Sequence, residues 1–148
     1  GARCLDLFAG SGALGLEALS RGAAHCDFVD NAPCATQAIS NHLVTLSAQE
    51  RGYCHTTNAL SFLETADPYD IIFVDPPFAA SLAPTVLTAI LDRYLLTTEG
   101  RIYFEVAKGD SSAIDQRCTV LRDKFAGDVH FRLLGIETVN ATAFVDRA

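Results

Sequence analysis

The sequence predicts an α/β fold in which a mostly parallel sheet carries helices on both faces. As far as Val106, short runs suited to β-strands alternate with stretches of helical periodicity, the pattern of parallel strands joined by crossover helices. Residues 71–74 form a continuous apolar run, as expected for a central strand buried on both faces. Residues 119–125 and 129–134 are separated by only three residues, and so short a connection makes an antiparallel hairpin.

The chain opens with two strands joined by a helix. We predict strand one at 2–8, a glycine-rich turn at 9–12 and strand two at 24–30. The helix between the strands ends at Gly22, a residue suited to the left-handed conformation that follows a helix. The apolar positions of this helix are Leu14, Ala18 and Leu19.

The second helix has a predicted start and a predicted buried stripe. Asn31 can cap its N-terminus, and Pro33 is tolerated in a first helical turn. The stripe at helical spacing consists of Ala35, Ile39, Leu43 and Leu46. A weaker strand at 53–57 and a short helix at 60–65 follow.

The second half of the chain repeats the alternation and then ends in the hairpin. After the strand at 71–74 we predict a helix, and Gly100 leads from it into a strand at 101–106. The apolar face of that helix consists of Val86, Leu87, Ile90, Leu91 and Tyr94. The sheet should therefore finish with an antiparallel pair.

The composition indicates one domain with no membrane segment and no disulfide framework. The 148 residues are 49% hydrophobic, which suffices for one buried core. No run approaches the roughly 20 apolar residues of a membrane-spanning helix, and no signal segment is recognisable. The five cysteines are widely spaced without a CxxC pair, so we expect a reduced, soluble cytoplasmic protein. Because the chain starts at Gly1 and contains no methionine, we expect the natural polypeptide to begin upstream.

The first motif is a glycine-rich loop between strand one and the first helix. Gly10, Gly12 and Gly15 form a GxGxxG pattern, in which glycines permit a tight turn and the close approach of a ligand. Asp30 follows Gly10 by 20 residues at the end of strand two, where a carboxylate can accept hydrogen bonds from both ribose hydroxyls of a nucleoside. Together these residues predict an adenosine site.

Asp6, just before the glycine loop, bears on which adenosine cofactor the site binds. Its carboxylate would repel a pyrophosphate but could favour the ammonium of a methionine moiety, directly or through water. This preference indicates S-adenosylmethionine rather than NAD. Two alternatives stay open: Asp6 could merely accept a hydrogen bond from the loop backbone, and Asp30 could be a helix cap or a solvated acid.

The second motif, Asp75-Pro76-Pro77-Phe78, directly follows the apolar strand. Ligands of open α/β sheets bind beyond the carboxyl ends of the strands, so this motif should share a rim with the glycine loop. An exocyclic base amine is a poor nucleophile because its lone pair is delocalised into the ring. Hydrogen bonds from that amine to the Asp75 carboxylate and the Pro76 carbonyl would free the lone pair, and Asp75 could accept the released proton. Successive prolines at 76 and 77 fix φ and keep the carbonyl pointed into the pocket.

Phe78 is predicted to stack on a base removed from its helix or loop. The reaction requires no metal, and the histidines show no metal-ligand spacing. These histidines are His25, His42, His55 and His130. The alternative is that the tetrapeptide is simply a strand-ending turn, because Asp and Pro are common in turns.

These residues resemble a known family, the RsmD-type bacterial methyltransferases, which modify guanine N2 in small-subunit ribosomal RNA. The runs LDLFAGSGALGLEALSRG at 5–22 and IFVDPPF at 72–78 carry most of the likeness, which spans nearly the whole chain. The late residues that share it are Lys124, Gly127, Val129, Arg132 and Leu133. The first run is specific to this family and its near relatives, whereas DPPF occurs in DNA and RNA amino-methyltransferases generally.

The resemblance implies a Rossmann-like class I methyltransferase fold, a seven-stranded, mostly parallel sheet with one antiparallel strand. It also implies transfer of a methyl group from S-adenosylmethionine, which becomes S-adenosylhomocysteine, to guanine N2 of 16S ribosomal RNA, free or in the small ribosomal subunit. Residues 8–12 would contact the methionine part, Asp30 the ribose, and Asn58 and Ala59 the adenine. The expected cofactor-binding residues are Asp6, Phe8, Ala9, Gly10, Ser11, Gly12, Asp30, Asn31, Asn58 and Ala59. The expected catalytic residues are Asp75, Pro76, Pro77 and Phe78.

Two departures from the family pattern stand out. The second acid that usually follows the ribose ligand by two residues is replaced by Ala32, which predicts weaker cofactor binding or compensation elsewhere. Family members also carry a basic N-terminal extension that helps hold RNA, and we expect residues 1–148 to be a single, monomeric domain without it. The missing extension would account for a formal charge of −7, which is unusual for a protein that binds a polyanion.

Three functions of different classes stay open on the residues alone. The first is the guanine-N2 methyltransferase of ribosomal RNA. The second is an amino-methyltransferase of adenine or cytosine in DNA, although such enzymes generally carry a separate target-recognition region, for which this chain has no room. The third is a non-catalytic nucleotide-binding module that keeps the glycine loop.

Overall fold

Seven strands form one sheet in the computed structural model of this protein, which describes residues 1–77, 82–109 and 114–136. The strands are β1 (Arg3–Asp6), β2 (His25–Asp30), β3 (Gly52–Thr56), β4 (Tyr69–Val74), β5 (Leu96–Ala107), β6 (Cys118–Ala126) and β7 (Val129–Ile136). The helices are α1 (Ala13–Ser20), α2 (Pro33–Thr45), α3 (Ala59–Leu63) and α4 (Ala83–Asp92). The order across the sheet is β3-β2-β1-β4-β5-β7-β6.

The strand pairing confirms the predicted fold class. Strands β1 to β5 pair in parallel, and β7 lies antiparallel between β5 and β6. The predicted hairpin is also confirmed, with Ala126 paired to Val129 across a two-residue loop. The chain first builds outwards from β1 to β3 and then returns to the other side of β1 with β4. At such a reversal the loops after the two strands diverge and leave a crevice for a ligand.

Two apolar layers cover the faces of the sheet. Helices α1 and α2 pack on one face, and buried residues of that layer include Cys4, Leu19, Cys26, Phe28, Ile39 and Leu43. Helices α3 and α4 pack on the other, with Leu5, Leu63, Ile72, Val86, Leu87 and Phe104. In β4, Ile72 and Val74 are fully buried in the second layer, whereas Ile71 and Phe73 on the first face are only half-buried. The prediction of a strand buried on both faces is therefore correct for one face and only partly so for the other.

The contact between α1 and β2 depends on Gly15. A Cβ at this position would lie 2.4 Å from Cε1 of Phe28 and 2.9 Å from Sγ of Cys26. Both neighbours are fully buried, so neither has room to move aside. The third glycine of the GxGxxG pattern therefore allows close packing of helix on strand, which holds the loop before α1 at the end of the sheet.

Two predictions about α2 are wrong. The N-cap residue is Ala32 and not Asn31, because the carboxylate of Asp30 accepts a hydrogen bond from the Ala32 N–H and sets where the helix begins. Leu46 does not join the buried stripe but is 55% exposed. The helix ends at Thr45, and after it Ala48 takes the buried position.

The prediction that Tyr94 extends the apolar face of α4 is also wrong. The helix ends at Asp92, and Tyr94 is 83% exposed with φ +54. The chain turns there so that Leu95 and Leu96 enter the core at the start of β5. Periodicity carried the predicted helix one turn too far, because the residues that follow a helix can keep its apolar spacing by chance.

Within the described parts of the chain, α-helices are all too short or too polar to cross a bilayer.

Candidate active site

The ends of β1, β2 and β4 open into one cleft of about 720 Å³. It lies where the strand order reverses, and the glycine loop and the Asp75 motif both line it. The predicted site residues that line this cleft are Phe8, Ala9, Gly10, Ser11, Asp30, Asn31, Asn58, Ala59, Asp75, Pro76 and Pro77. Phe78 lies outside the described residues.

Gly10 and Gly12 have different structural roles in the loop. Gly10 has φ +55, and a Cβ built on it would meet no atom within 4 Å, so its backbone is open to a ligand from the cleft. Gly12 has φ +81 and is buried, and its Cβ would lie 2.8 Å from Cγ1 of Ile39 in α2. Gly12 therefore packs the loop onto the protein, whereas Gly10 presents it to the cleft.

Asp30 ties the glycine loop to the start of α2. Its Oδ2 accepts a hydrogen bond from the Gly10 N–H at 2.9 Å, and its Oδ1 accepts one from the Ala32 N–H at 2.8 Å. The side chain is half-buried at the wall of the cleft. Each carboxylate oxygen keeps a further lone pair, so Asp30 can still accept hydrogen bonds from a ligand.

Asp6 lies behind the loop and not at the cleft surface. It is only 2% exposed, and its Oδ2 accepts a hydrogen bond from the Gly15 N–H at 3.0 Å, which satisfies a free donor in the first turn of α1. Burial raises the pKa of Asp6 to about 7, the Gly15 N–H opposes that rise, and the charges of Asp75 and Asp30 add to it. The backbone hydrogen bond that was the alternative role for Asp6 is thus present in the fold.

Asn58 and Ala59, at the start of α3, also line the cleft. The Oδ1 of Asn58 accepts a hydrogen bond from the Ser61 N–H at 2.8 Å and caps α3. With its oxygen occupied in this way, the amide NH₂ is the group that can donate to a ligand. Ala59 is buried and lines the cleft without a polar side chain, which leaves room for a flat ring.

Asp75 follows the last residue of β4 and is half-buried in the cleft. Burial raises its pKa to about 6, and the charge of Glu105 contributes to the rise. Pro76 is buried and Pro77 is exposed, so the first proline is held by the fold while the second faces outwards. Near neutral pH the Asp75 carboxylate is ionised and able to accept hydrogen bonds and a proton.

Glu105 is a cleft residue that the sequence analysis missed. It lies in β5 beside Asp75 and lines the same cleft, and the hydroxyl of Tyr103 donates a hydrogen bond to its Oε2 at 3.2 Å. Its signal in the sequence is an acid between apolar residues, Phe104 and Val106, close to the carboxyl end of the strand where ligands bind. Without the strand register, that acid could equally have been a solvated residue.

The charges around the cleft suit a cationic ligand. Three acids line it: Asp30, Asp75 and Glu105. S-adenosylmethionine carries an ammonium and a sulfonium, whereas a dinucleotide brings a pyrophosphate that these carboxylates would repel. The open backbone at Gly10 and the size of the cleft also fit an adenosine-containing molecule. Across 1–77, 82–109 and 114–136, acids, histidines and cysteines are nowhere grouped in threes that could hold a metal ion.

The chain matches a known family over most of its length. The family described as conserved hypothetical protein 95 matches residues 1–135. The chain is 39% identical over 134 residues to a protein of Escherichia coli (strain K12) named ribosomal RNA small subunit methyltransferase D, covering 89% of this chain and 67% of that relative. It is 33% identical over 134 residues to the Haemophilus influenzae protein of the same name, covering 88% of this chain and 69% of that relative.

Solved structures share the fold. The structure of Escherichia coli yhhF has a TM-score of 0.85 at 38% identity and covers 93% of this chain and 77% of its own. A conserved hypothetical protein of Streptococcus pyogenes has a TM-score of 0.86 at 26% identity, covering 92% of this chain and 86% of its own. TrmN from Thermus thermophilus has a TM-score of 0.81 at 18% identity, covering 93% and 44%, and is similar in fold alone.

Proposed function

This chain belongs to the conserved hypothetical protein 95 family, and from that membership we propose that it methylates N2 of a guanine in 16S ribosomal RNA. It is an S-adenosylmethionine-dependent methyltransferase with a Rossmann-like class I fold. The observation that carries the proposal is the single cleft in which the glycine loop and the Asp75-Pro76 segment face a shared space. Its relatives in Escherichia coli and Haemophilus influenzae are named as methyltransferases of the small-subunit ribosomal RNA.

The residues proposed to hold the cofactor lie on three neighbouring loops. The loop after β1 would approach the methionine part through the backbone at Gly10, and Asp30 would accept hydrogen bonds from the ribose hydroxyls. The amide of Asn58 and the small side chain of Ala59 would receive the adenine. Phe8, Ala9, Ser11 and Asn31 complete the proposed cofactor site. Gly12 and Asp6 support the loop from behind, Gly12 by packing on Ile39 and Asp6 by accepting the hydrogen bond from the Gly15 N–H.

The chemistry proposed for the chain's own residues is positioning and proton acceptance. When bound, S-adenosylmethionine supplies a methyl group whose bond to sulfur breaks as the nitrogen–carbon bond forms, leaving S-adenosylhomocysteine. The Asp75 carboxylate and the Pro76 carbonyl would each accept a hydrogen bond from the amine, so that its lone pair is aimed into the cleft. Asp75 then takes the proton that the amine loses, which its ionised state near neutral pH permits.

The proposal is tested with a tritiated-methyl assay on four substrates. These are small ribosomal subunits that lack the modification, the corresponding naked 16S ribosomal RNA, double-stranded DNA and a no-acceptor control. We expect label in one or both ribosomal substrates, none in DNA, and N2-methylguanosine as the methylated nucleoside in a digest. Label in DNA, or methyladenosine as the product, would contradict the proposed substrate. Calorimetry with S-adenosylmethionine and NAD checks the cofactor independently, and binding of NAD alone would contradict the methyl-donor site.

Replacing Asp30 by alanine is expected to weaken the binding of S-adenosylmethionine by about 1 to 3 kcal/mol, the value of hydrogen bonds to a charged acceptor. The change also releases the N–H groups of Gly10 and Ala32, so the loop itself loses its link to α2. Turnover at saturating cofactor should change much less than affinity, because Asp30 lies at the end of β2 whereas the proposed acceptor residues follow β4. Isothermal calorimetry and a cofactor titration of the rate measure the two effects.

Glu50→Ala, at an exposed acid outside the cleft, is the matched control for the Asp30 change. This change should leave the dissociation constant for S-adenosylmethionine unaltered. An Asp30→Ala protein that binds the cofactor as tightly as the parent would show that another group holds the ribose.

A further inference from the structure

We propose that Glu105 selects guanine as the methyl acceptor by accepting a hydrogen bond from N1–H of the base. The neighbouring 2-amine would donate its hydrogen bond to Asp75. The inference rests on the proposed function and names the feature of the base that the site reads.

The sheet places Glu105 next to Asp75. Strands β4 and β5 pair in parallel with Val74 opposite Phe104, and the next residue after each of these is an acid, Asp75 and Glu105. Neighbouring strands of a sheet are about 4.8 Å apart. Both acids line the cleft, and the charge of Glu105 raises the pKa of Asp75 in addition to burial. Two acceptors thus stand side by side at the place where the amine is expected.

The side chain of Glu105 is held by the residue two positions earlier on its strand. Tyr103 and Glu105 point to the same face of β5, whereas Phe104 and Val106 point into the buried core on the other face. The Tyr103 hydroxyl donates to Oε2 of Glu105, and this bond leaves Oε1 and the remaining lone pairs for a ligand. A carboxylate held in this way loses less freedom on binding than a mobile one.

An aromatic row on the same face offers a surface for a flat ring. Phe73 and Tyr103 have ring centroids 6.1 Å apart, and Tyr103 and Phe131 have centroids 5.9 Å apart. Phe131 pairs directly with Glu105 across β5 and β7. All three rings are only partly buried. A base that entered from this side would have apolar contact beside the two carboxylates.

The Watson–Crick edge of guanine matches two adjacent acceptors, and those of adenine and cytosine do not. Guanine presents the N2 amine next to N1–H, both of which are donors. Adenine and cytosine present an amine next to a ring nitrogen that is an acceptor. Opposite Glu105, that ring nitrogen would face a second acceptor, which leaves both acceptors without a donor inside the cleft. Glu105 therefore favours guanine by attraction and disfavours the other two bases by repulsion.

The test compares guanine with 2-aminopurine, which keeps the 2-amine but has an acceptor at N1. The methylated guanine is first located with the unaltered protein, and small subunits are then reconstituted around 16S ribosomal RNA carrying either base at that position. We expect the unaltered protein to prefer guanine by roughly 100-fold or more in kcat/KM, because a site built to receive an N–H rejects an analogue that lacks it. In Glu105→Gln we expect the rate on guanine to fall about tenfold or more. In the same variant the ratio of kcat/KM for guanine to that for 2-aminopurine should fall below about tenfold, because the glutamine NH₂ can donate to N1 of 2-aminopurine.

Two further variants distinguish recognition of the base by Glu105 from a general effect of losing a negative charge and from damage to the fold. Glu99→Gln removes the same charge from an exposed position on the same strand, and it should keep the guanine preference. Tyr103→Phe removes the hydroxyl that holds Glu105 and should narrow the preference partly. The affinity of each variant for S-adenosylmethionine, measured by calorimetry, reports whether the cleft is intact.

The outcomes distinguish this inference from the proposed function. If the unaltered protein methylates N2 of guanine but treats 2-aminopurine equally, or if Glu105→Gln keeps the full preference, the role of Glu105 is overturned and the methyltransferase proposal stands. If the unaltered protein labels neither base in the reconstituted subunits and neither natural ribosomal substrate, the proposed function itself has failed. A narrowed preference in Glu105→Gln together with an unchanged one in Glu99→Gln supports the inference.

Discussion

Asp75→Ala is expected to lower the rate of methyl transfer about 10³-fold while changing the affinity for S-adenosylmethionine less than tenfold. The size of the loss follows from the removal of both a hydrogen-bond acceptor for the amine and a proton acceptor, effects typical of general-base residues. The small effect on the cofactor follows from the position of Asp75 after β4, on the acceptor side of the cleft, whereas the predicted cofactor residues lie after β1, β2 and β3. Single-turnover rates and calorimetry measure the two quantities separately.

Asp75→Asn distinguishes the two tasks of this residue. The amide oxygen can still accept a hydrogen bond from the amine but cannot take its proton, so we expect a rate between those of the alanine variant and the unaltered protein. The pKa of about 6 predicts that the kcat/KM of the unaltered protein falls as the pH drops below 6, because protonated Asp75 no longer accepts. The asparagine variant should lack that dependence. An Asp75→Ala variant with full turnover would show that Asp75 is not in the reacting pocket. Asp67→Ala, a change at an exposed acid, is the control and should keep full turnover.

Asp27→Ala is expected to lower the free energy of unfolding by about 3 kcal/mol, chiefly by leaving buried donors without an acceptor. Asp27 is only 7% exposed. Its Oδ1 lies 2.8 Å from Nε2 of His55, and its Oδ2 lies 2.8 Å from Nε2 of His25 and 2.6 Å from the Tyr69 hydroxyl. Tyr69 is fully buried, so its hydroxyl cannot turn to water when the acid is removed. Urea unfolding at neutral pH measures the change.

A Tyr69→Phe variant and the Asp27→Ala/Tyr69→Phe double variant show how much of the lost unfolding free energy comes from the interaction between Asp27 and Tyr69. If the hydroxyl left without a partner is the main cost, the double variant should be less destabilised than the sum of the two single variants. Burial acts to raise the pKa of Asp27, but hydrogen bonds from Tyr69, His25 and His55 outweigh it and hold the pKa below its ordinary value of 3.8. The ionised form therefore stabilises the fold above pH 3.8, and this contribution is lost as the pH falls through the lower folded value. Equal stabilities of variant and parent at pH 7 would contradict this account.

The order of strands and helices was largely predictable from local patterns. The alternation of strand-like and helical runs identified all seven strands, because each pattern depends on residues close together in the chain. The ends of the elements were less predictable. Leu46 and Tyr94 continue an apolar spacing beyond the last helical turn, and only the chain reversals that bury Ala48 and Leu95 show that the helices have already ended.

The N-terminus of α2 shows why capping was predicted at the wrong residue. Asn31 has the side chain of a good cap, but the carboxylate of Asp30 already holds the Ala32 N–H and the Gly10 N–H together. Gly10 is far from Asp30 in the chain, so the hydrogen bond between them depends on how β1 and β2 pair. The capping preference of Asn31 was overridden by the neighbouring acid, whose carboxylate is also held by the Gly10 N–H of the adjacent strand end.

Residue types at short spacing were enough to predict an α/β fold with an adenosine loop and an acid after a central strand, because glycine loops and strand ends are properties of neighbouring residues, and the resemblance to a family added the methyltransferase activity. Tertiary structure decided which acids share the cleft. Asp6 lies behind the loop because its carboxylate receives the Gly15 N–H, and Glu105 stands beside Asp75 because β4 and β5 pair with Val74 opposite Phe104. The pairing of β4 with β5, two strands that are distant in sequence, places Glu105 beside Asp75, and the spacing of residues along the chain does not contain this pairing.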